Sequence, residues 1–279
     1  MPSEPSLNDT LVSVVMSTYR DAPAVLDRAL DSLLGQNYPE LEVIIVFEPG
    51  DENAPRVEQK YRDSRVRVIR PAERVGRCGA YNVGIQAATG RYLARMDSDD
   101  QCLPDRISRQ ISFLRAHPDI AVVGSAVNLY DRQGNFCGVR HFPETHEQFM
   151  GRLPFVNPIC HPTVVWDRRK VEPDGLFSAE FSAACDDMEL WLRWAAQGHR
   201  FANLPECLLN YTQPDNYTRN RLNWRYMFAA RWRHRRLIWS HPAMLLGLPV
   251  AGVFAISPQW FITLCTGRSR FSDWFRSIR

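Results

Sequence analysis

Apolar residues in this chain fall into two alternating patterns, short dense runs and longer stretches spaced at helical intervals. Leu11 to Met16 is a largely apolar, β-branched run between polar neighbours, as expected of a strand covered on both faces. Ala24 to Gln36 instead sets Val25, Leu26, Ala29, Leu30, Leu33 and Leu34 on one side and Asp27, Arg28, Asp31 and Ser32 on the other, which predicts an amphipathic helix. Leu41 to Phe47 is a second strand, closed by the turn Glu48-Pro-Gly50. Strand, helix and strand in this order form a βαβ unit and predict a parallel sheet with right-handed crossovers.

The alternation continues with a strand over Val66 to Arg70, a helix over Ala80 to Ala88 stopped by Thr89-Gly90, and a strand from Arg91 to Met96. Pro104 to His117 predicts a helix with proline in its first turn, Ala121 to Leu129 a strand, and Asp186 to Gln197 a helix closed by Gly198. Between residues 140 and 183 prolines, histidines and aromatics follow no period, and no pairing is predicted there. The fold class is α/β, a mostly parallel sheet flanked by helices. Ligands of such sheets bind beyond the carboxyl ends of the strands. Three such ends are polar: Ser17-Thr18-Tyr19, Glu48, and Asp97 to Asp100.

Composition adds two points. With 279 residues, 45% of them hydrophobic, the chain can bury a large core as one domain with an appendage or as two smaller domains. The net charge of +3 conceals an asymmetry, since eleven arginines and a single acid, Asp273, lie from Asn216 onward. Met1 to Thr10 lacks the basic start and apolar middle of an export signal, and the seven scattered cysteines form no Cys-x-x-Cys pair, so reduced thiols in a cytoplasmic protein are expected.

The chemistry concentrates at Asp97, Asp99 and Asp100. Three carboxylates in four positions repel one another, and a hard divalent cation, which prefers oxygen ligands and bridges one or two carboxylates to substrate phosphates, relieves that repulsion. Asp187 shares a helix face with Leu190, Trp191 and Trp194 and so points inward, whereas Asp186, one position round, is expected to be the solvated member of the pair. Asp100 is read as a turn or capping residue, and His161 as a hydrogen-bonded, partly buried histidine.

Five segments carry a family resemblance: Val12-Ser-Val-Val-Met-Ser-Thr-Tyr19, Leu33-Leu-Gly-Gln-Asn-Tyr-Pro39, Ala80-Tyr-Asn-Val-Gly-Ile85, Gly90 to Asp100, and Asp186-Asp-Met-Glu-Leu-Trp-Leu-Arg193. In this order and spacing, over roughly residues 11 to 215, the chain resembles family-2 inverting glycosyltransferases with the GT-A fold, a Rossmann-like, mostly parallel mixed sheet. The resemblance implies that Ser17, Thr18 and Tyr19 line the nucleotide base pocket and that Glu48 stands where the family usually has an Asp reading the base or ribose. It places Arg77, and less strongly Arg74, by the nucleotide, with Asp97 and Ser98 on the same side. Asp99 would be the direct ligand of Mn²⁺ or Mg²⁺, and Asp187 the general base of an inverting hexosyl or N-acetylhexosaminyl transfer. The donor would be a nucleotide diphosphate sugar, a UDP-sugar being favoured. Two departures stand out: Phe47-Glu-Pro-Gly50 replaces the more usual Asp-Asp-Gly-Ser, and Tyr211-Thr-Gln-Pro214 lacks the Arg and His often found there, so no metal ligand is assigned in it. The alternative is a non-catalytic nucleotide-sugar-binding or interaction module that keeps the fold.

Residues 216–279 form a basic and apolar C-terminal extension to a catalytic domain of residues 1–215. Arg231-Trp-Arg-His-Arg-Arg-Leu-Ile-Trp239 interleaves cations with indoles, and Pro242 to Leu264 has no charge over 23 positions. That length could cross a bilayer, for which about 20 apolar residues suffice. Pro249, Ser257, Pro258 and Gln259 interrupt it, however, and favour an interfacial segment over residues 231–264 at an anionic membrane, with a helical subdomain packed on the enzyme as the alternative. No nucleic-acid-binding motif accompanies it. The expected acceptor is a glycan or lipid-linked glycan at the inner face of the cell membrane.

Overall fold

In the computed structural model, which describes residues 8–171, 175–213, 221–237 and 244–257, the first strand, β1 (Asn8–Thr18), has a parallel partner on each side. Helix α1 (Pro23–Leu34) leads to β2 (Leu41–Phe47) on one side, α2 (Asn53–Lys60) leads to β3 (Val66–Ile69) beyond it, and α3 (Gly76–Ala87) brings the chain to β4 (Gly90–Asp97) on the other. Val15 of β1 is paired with Ile44 of β2 and Arg95 of β4. The βαβ unit expected from the sequence is present, with all four strands parallel.

The next elements are β5 (Gln101–Cys102), α4 (Arg106–Ala116), β6 (Ile120–Tyr130), β7 (Phe136–Arg140) and α5 (His146–Arg152). After them come β8 (Val165–Asp167), α6 (Arg168–Val171), α7 (Asp186–Ala196) and β9 (Arg200–Thr212). The sheet is mixed, with order β3-β2-β1-β4-β8-β6-β9-β5 and β7 paired to β6. Strand β8 runs antiparallel to both β4 and β6, while β6 and β9 are parallel. Two helices, α8 (Arg221–Arg233) and α9 (Met244–Ile256), follow.

The alternation of side chains along a strand divides the core into two layers. Val15, Ile44, Val46 and Leu93 face α3 and α7, where Tyr81, Ile85, Trp191 and Trp194 are buried. Val14, Met16, Val43 and Ile45 face α1 and α4, against Leu26, Leu30, Ile107 and Ile111. Helix α3 begins one turn earlier than its apolar pattern implies, opened by Gly76 at φ +69°, so Arg77 stands on a first helical turn and not in a loop. Strand β1 likewise runs on through Ser17 and Thr18. Helix α2 and strand β9 were not foreseen: α2 buries only Asn53, Ala54 and Val57, and the middle of β9 is interrupted by the exposed Pro205-Glu206.

The seat of α3 on the sheet depends on Gly84, where a Cβ would stand 2.4 Å from Val15 Cγ1 and 3.3 Å from Val46 Cγ2. Alanine improves helix propensity by about 1 kcal/mol, but overpacking a core costs about 1–3 kcal/mol, and a contact this short with a stiff β-branched side chain belongs at the upper end. Gly84→Ala is therefore expected to lower the urea midpoint, whereas an unchanged or raised midpoint would mean that α3 moves off the sheet freely.

Candidate active site

Beyond the carboxyl ends of β1, β2 and β4 lies a cavity of about 340 Å³, and Ser17, Thr18, Tyr19, Glu48, Arg77, Asp97, Ser98 and Asp99 all line it, together with Arg74 and Tyr81. The parallel topology brings them together from three strand ends and the first turn of α3. Glu48 is 6% exposed; its Oε2 accepts a hydrogen bond from the Val75 backbone N–H at 3.2 Å, while Oε1 has no partner within the protein. Thr18 Oγ1 and Ser98 Oγ both donate to Asp21 Oδ2, at 2.7 and 2.6 Å, which fixes the two hydroxyls. The guanidinium groups of Arg20 and Arg74 lie over the Tyr19 ring, at 5.1 and 4.8 Å from its centre.

The three carboxylates at the end of β4 have different surroundings. Asp97 Oδ1 is bonded to Arg95 Nη2 at 2.8 Å and accepts from the Tyr81 hydroxyl at 2.9 Å. Burial alone would raise its pKa, but Arg95 and Tyr81 outweigh it and hold the carboxyl below the usual range. Asp99 is pushed up to about 6, first by burial and then by the charge of Asp97. Asp100 is buried and raised well above the ordinary range, by burial, Asp97 and Asp99, while its Oδ1 accepts from the Thr212 N–H at 2.8 Å. It ties the turn to β9, in keeping with a turn residue.

Asp99 stands on the wall between this cavity and a second one of about 630 Å³. The second lies between the start of α1, the β6–β7 turn and the end of β9, and Asp21 is the other residue common to both. Among the described residues no group of three His, Cys, Asp or Glu side chains is arranged to hold a metal by itself. The donor set suits a cation of the Mg²⁺ type, which keeps several waters and takes one or two carboxylates plus phosphate oxygens. Asp99, crowded by Asp97 and Asp21, is the carboxylate whose charge such a cation would relieve.

Asp187, the second residue of α7, has both oxygens engaged. Asn157 Nδ2 donates to Oδ2 at 2.5 Å and the Met188 N–H to Oδ1 at 2.7 Å. Burial first, and then the neighbouring Asp186, push its pKa up to about 6. Asp186 is not the solvated member of the pair. It is 3% exposed and bonded at 2.5 Å to Arg77 Nη2, because α7 is enclosed on nearly every side and α3 supplies a cation. His161 is partly buried as expected, but its Nε2 has no hydrogen-bond partner. Its ring packs against Phe177, Trp191 and Tyr81, and burial, with Arg95 and Arg77, holds its pKa well below the ordinary value, so it is neutral.

Sequence reasoning missed Asp21, Tyr81, Arg95, Asn157 and the role of Asp186. A signal existed for Arg95, a charge inside an otherwise apolar strand, and for Asp21, just before the proline that opens α1. Asn157 and Asp186 gave none, since their significance depends on partners 30 and 109 positions away.

The family model described as glycosyl transferase family 2 matches residues 13–172. The amylovoran biosynthesis glycosyltransferase AmsE of Erwinia amylovora is 31% identical over 220 residues, covering 78% of this chain and 82% of that protein. The UDP-Glc:alpha-D-GlcNAc-diphosphoundecaprenol beta-1,3-glucosyltransferase WfaP of Escherichia coli is 28% identical, covering 69% of this chain and 73% of its own. Among solved structures, the mannosyltransferase PcManGT of Pyrobaculum calidifontis, in complex with GDP-Man and Mn²⁺, superposes with a TM-score of 0.62 at 19% identity, covering 98% of this chain and 80% of that one. That likeness is one of fold, and the fold is GT-A.

The raised pKa of Asp99 has a stability consequence. Its folded value of about 6 exceeds the ordinary 3.8, so the folded state gains protons relative to the unfolded state as pH falls from about 6 to 4. The ionised carboxylate therefore costs stability above pH 6, a cost on the order of 3 kcal/mol at about 1.4 kcal/mol per pKa unit. Asp99→Asn is expected to melt at a higher temperature than the unsubstituted protein at pH 7.5, with the difference shrinking at pH 5. Identical melting curves at both pH values would show that Asp99 is not electrostatically stressed.

Proposed function

The chain belongs to glycosyl transferase family 2, and from that premise we propose an inverting, metal-dependent glycosyltransferase that moves a hexosyl or N-acetylhexosaminyl group from a nucleotide diphosphate sugar to a hydroxyl. Residues 1–215 form the catalytic domain and 216–279 an extension. The observation that carries the reading is the meeting, at one sheet edge, of a nucleotide-sized cavity with Asp99 on its wall and, joined to it through the Arg77–Asp186 ion pair, a carboxylate with a pKa of about 6, Asp187.

Each group has a task. Ser17, Thr18 and Tyr19 enclose the base, and Arg77, with Asp97 and Ser98, lies beside the diphosphate and ribose. A UDP-sugar is favoured because Glu48 has one oxygen already bonded to Val75 and one without a partner in the protein. A single acceptor suits the lone imide N–H of uracil, whereas guanine presents two adjacent donors to a carboxylate. WfaP, whose name gives UDP-Glc as its donor, supports the same choice. Asp99 would hold Mn²⁺ or Mg²⁺, which when bound supplies Lewis-acid neutralisation of the departing diphosphate; the Mn²⁺ of PcManGT supports a divalent ion. Asp187, oriented by Asn157 and the Met188 N–H, takes the proton of the acceptor hydroxyl as it attacks the face opposite the leaving group. With a pKa near 6 it is ionised at pH 7 yet far more basic than a surface aspartate, as a general base requires. His161, being neutral, adds no charge there.

The acceptor is a glycan or lipid-linked glycan, the reading that the diphosphoundecaprenol substrate named for WfaP supports. The enzyme would work at the cytoplasmic face of the cell membrane, in peripheral contact through residues 231–264, of which 238–243 and 258–264 lie outside the described residues.

Two measurements test this. Asp187→Asn is expected to lower kcat/KM by about 10²- to 10⁴-fold while UDP still binds in the presence of Mn²⁺, and Asp99→Ala to abolish the metal-dependent part of that binding. Full transfer activity in both variants would overturn the roles, and tight binding of GDP but not UDP would overturn the base. In the unsubstituted enzyme kcat/KM should fall below about pH 6 as Asp187 becomes protonated; a flat profile from pH 7 to 5 would remove it as the base.

A further inference from the structure

Helix α9, Met-Leu-Leu-Gly-Leu-Pro-Val-Ala-Gly-Val-Phe-Ala-Ile, is apolar at every position. One of its sides is used. Ala251, Phe254 and Ala255 are buried against Trp224 and Met227 of α8, with Trp224 stacked on Phe254 at 4.5 Å. Gly247 lies so close to Pro154 that a Cβ there would stand 2.2 Å from the Pro154 carbonyl oxygen. The other side meets solvent: Leu246 is 66% exposed, Val250 39%, Val253 54% and Ile256 76%. Residues 246, 250 and 253 follow the i, i+4, i+7 spacing of one stripe. A helix apolar all round belongs in a core or in lipid, and a continuous exposed apolar face marks an interaction surface.

Cations adjoin one end of that stripe. The helices are antiparallel, since Phe228 lies by Gly252 while Arg231 and Gly247 both meet Pro154. Trp232, 52% exposed, therefore lies level with the start of α9, with the Arg235 guanidinium 5.2 Å from its ring centre and Arg236 also exposed. Neither helix contains an acid. Arg231, in contrast, is buried and donates from Nε to the Pro154 carbonyl at 2.6 Å, so it anchors the pair of helices from within.

We propose that the stripe of Leu246, Val250, Val253 and Ile256, with Trp232, Arg235 and Arg236 at its rim, is a docking surface for an anionic lipid bilayer, in which α9 lies parallel to the membrane plane. This rests on the membrane contact in the reading above and assigns its residues and depth. Thirteen residues at about 1.5 Å each span about 20 Å, short of a hydrocarbon core of about 30 Å, and among the described residues no helix is long and apolar enough to cross. An apolar stripe of this length instead sinks to the level of the acyl boundary, with its arginines among the headgroups. A second copy of the chain would cover the stripe too, but α8 and α9 would bring it no acid for Arg235 and Arg236, whereas anionic headgroups provide the opposite charge. The two helices are fastened to α7, because His234 Nε2 meets Glu189 Oε1 at 3.1 Å, two positions beyond Asp187, and Cys185, two positions before it, packs against the cluster the two helices share. Docking therefore fixes where Asp187 lies relative to the lipid surface.

The test is co-sedimentation of the full chain with phosphatidylglycerol-containing and with pure phosphatidylcholine vesicles, at low and high salt. The chain is expected to bind the anionic vesicles. The double substitution Val250→Glu and Val253→Glu, at exposed positions, should weaken that binding by more than about tenfold, since it places charge where apolar surface must be buried. Arg235→Glu with Arg236→Glu should remove the salt-dependent part, about fivefold or more per arginine. Circular dichroism and UDP binding of both variants should match the unsubstituted chain. Undiminished vesicle binding by the valine variant overturns the proposal. So does a chain that stays in the supernatant, most directly as a dimer that the valine substitutions make monomeric, which would assign the stripe to a second copy. Loss of UDP binding in the unsubstituted chain would count against the glycosyltransferase reading and leave the vesicle result to be judged on its own.

Discussion

A guanidinium sealed into the middle of the sheet sets the terms for the rest of the site. Arg95, 2% exposed, stands on β4 two residues before Asp97 and bonds to it, lies 4.3 Å from the Tyr81 ring centre, and has its backbone oxygen held by Arg106 Nη2 at 2.7 Å. A buried charge persists only when paired, and breaking such a pair leaves its survivor stranded. Arg95 therefore secures a permanent negative charge at Asp97. That charge ranks next after burial among the causes that raise Asp99 and Asp100. One residue inside a strand thus adds to what burial does to the protonation of a turn outside it.

The sheet also sorts the functional groups by side. Tyr81, Arg77 and the opening of α7 belong to the layer built on Val15, Ile44 and Leu93. The larger cavity adjoins α1, which packs on the opposite layer built on Val14, Met16 and Val43. Two helices from distant parts of the chain cooperate on the first side, with Arg77 of α3 neutralising Asp186 of α7. Without that cation the enclosed first turn of α7 would hold two adjacent carboxylates with no cation bonded to either among the described residues, only the more distant charge of Arg95.

What the sequence made legible follows from the range of the interactions involved. Strands β1, β2 and β4 could be read because burial on both faces demands dense apolar runs, and a parallel sheet then aligns their polar exits. Seven of the residues lining the smaller cavity, Ser17 to Tyr19, Glu48 and Asp97 to Asp99, could accordingly be read as aligned strand exits, whereas Asp21 and Tyr81 on the same wall could not. Strand β8, three residues long, and β9, interrupted at Pro205-Glu206, carry no such period; their places come from pairing with β4 and β6. The same limit applies in the site. Asp100 looked like a turn residue and serves as one, a local property. Helical phase placed Asp187 inward, yet it could not show that Asp186 is buried as well, because that depends on Arg77 crossing from another helix. The expected hydrogen bond at His161 gave way at Nε2 to a cage of aromatic rings, whose members lie at 81, 177 and 191.

The position of Asp99 on a partition between two cavities bears on how genetic variation in this chain is to be interpreted. An allele at Glu48 alters one compartment and an allele at Arg132 the other, so their phenotypes can be attributed to separate molecular defects. An allele at Asp99 or Asp21 alters both at once. Complementation between such alleles would be uninformative about which compartment failed, and only residues bordering a single chamber can serve as its genetic marker.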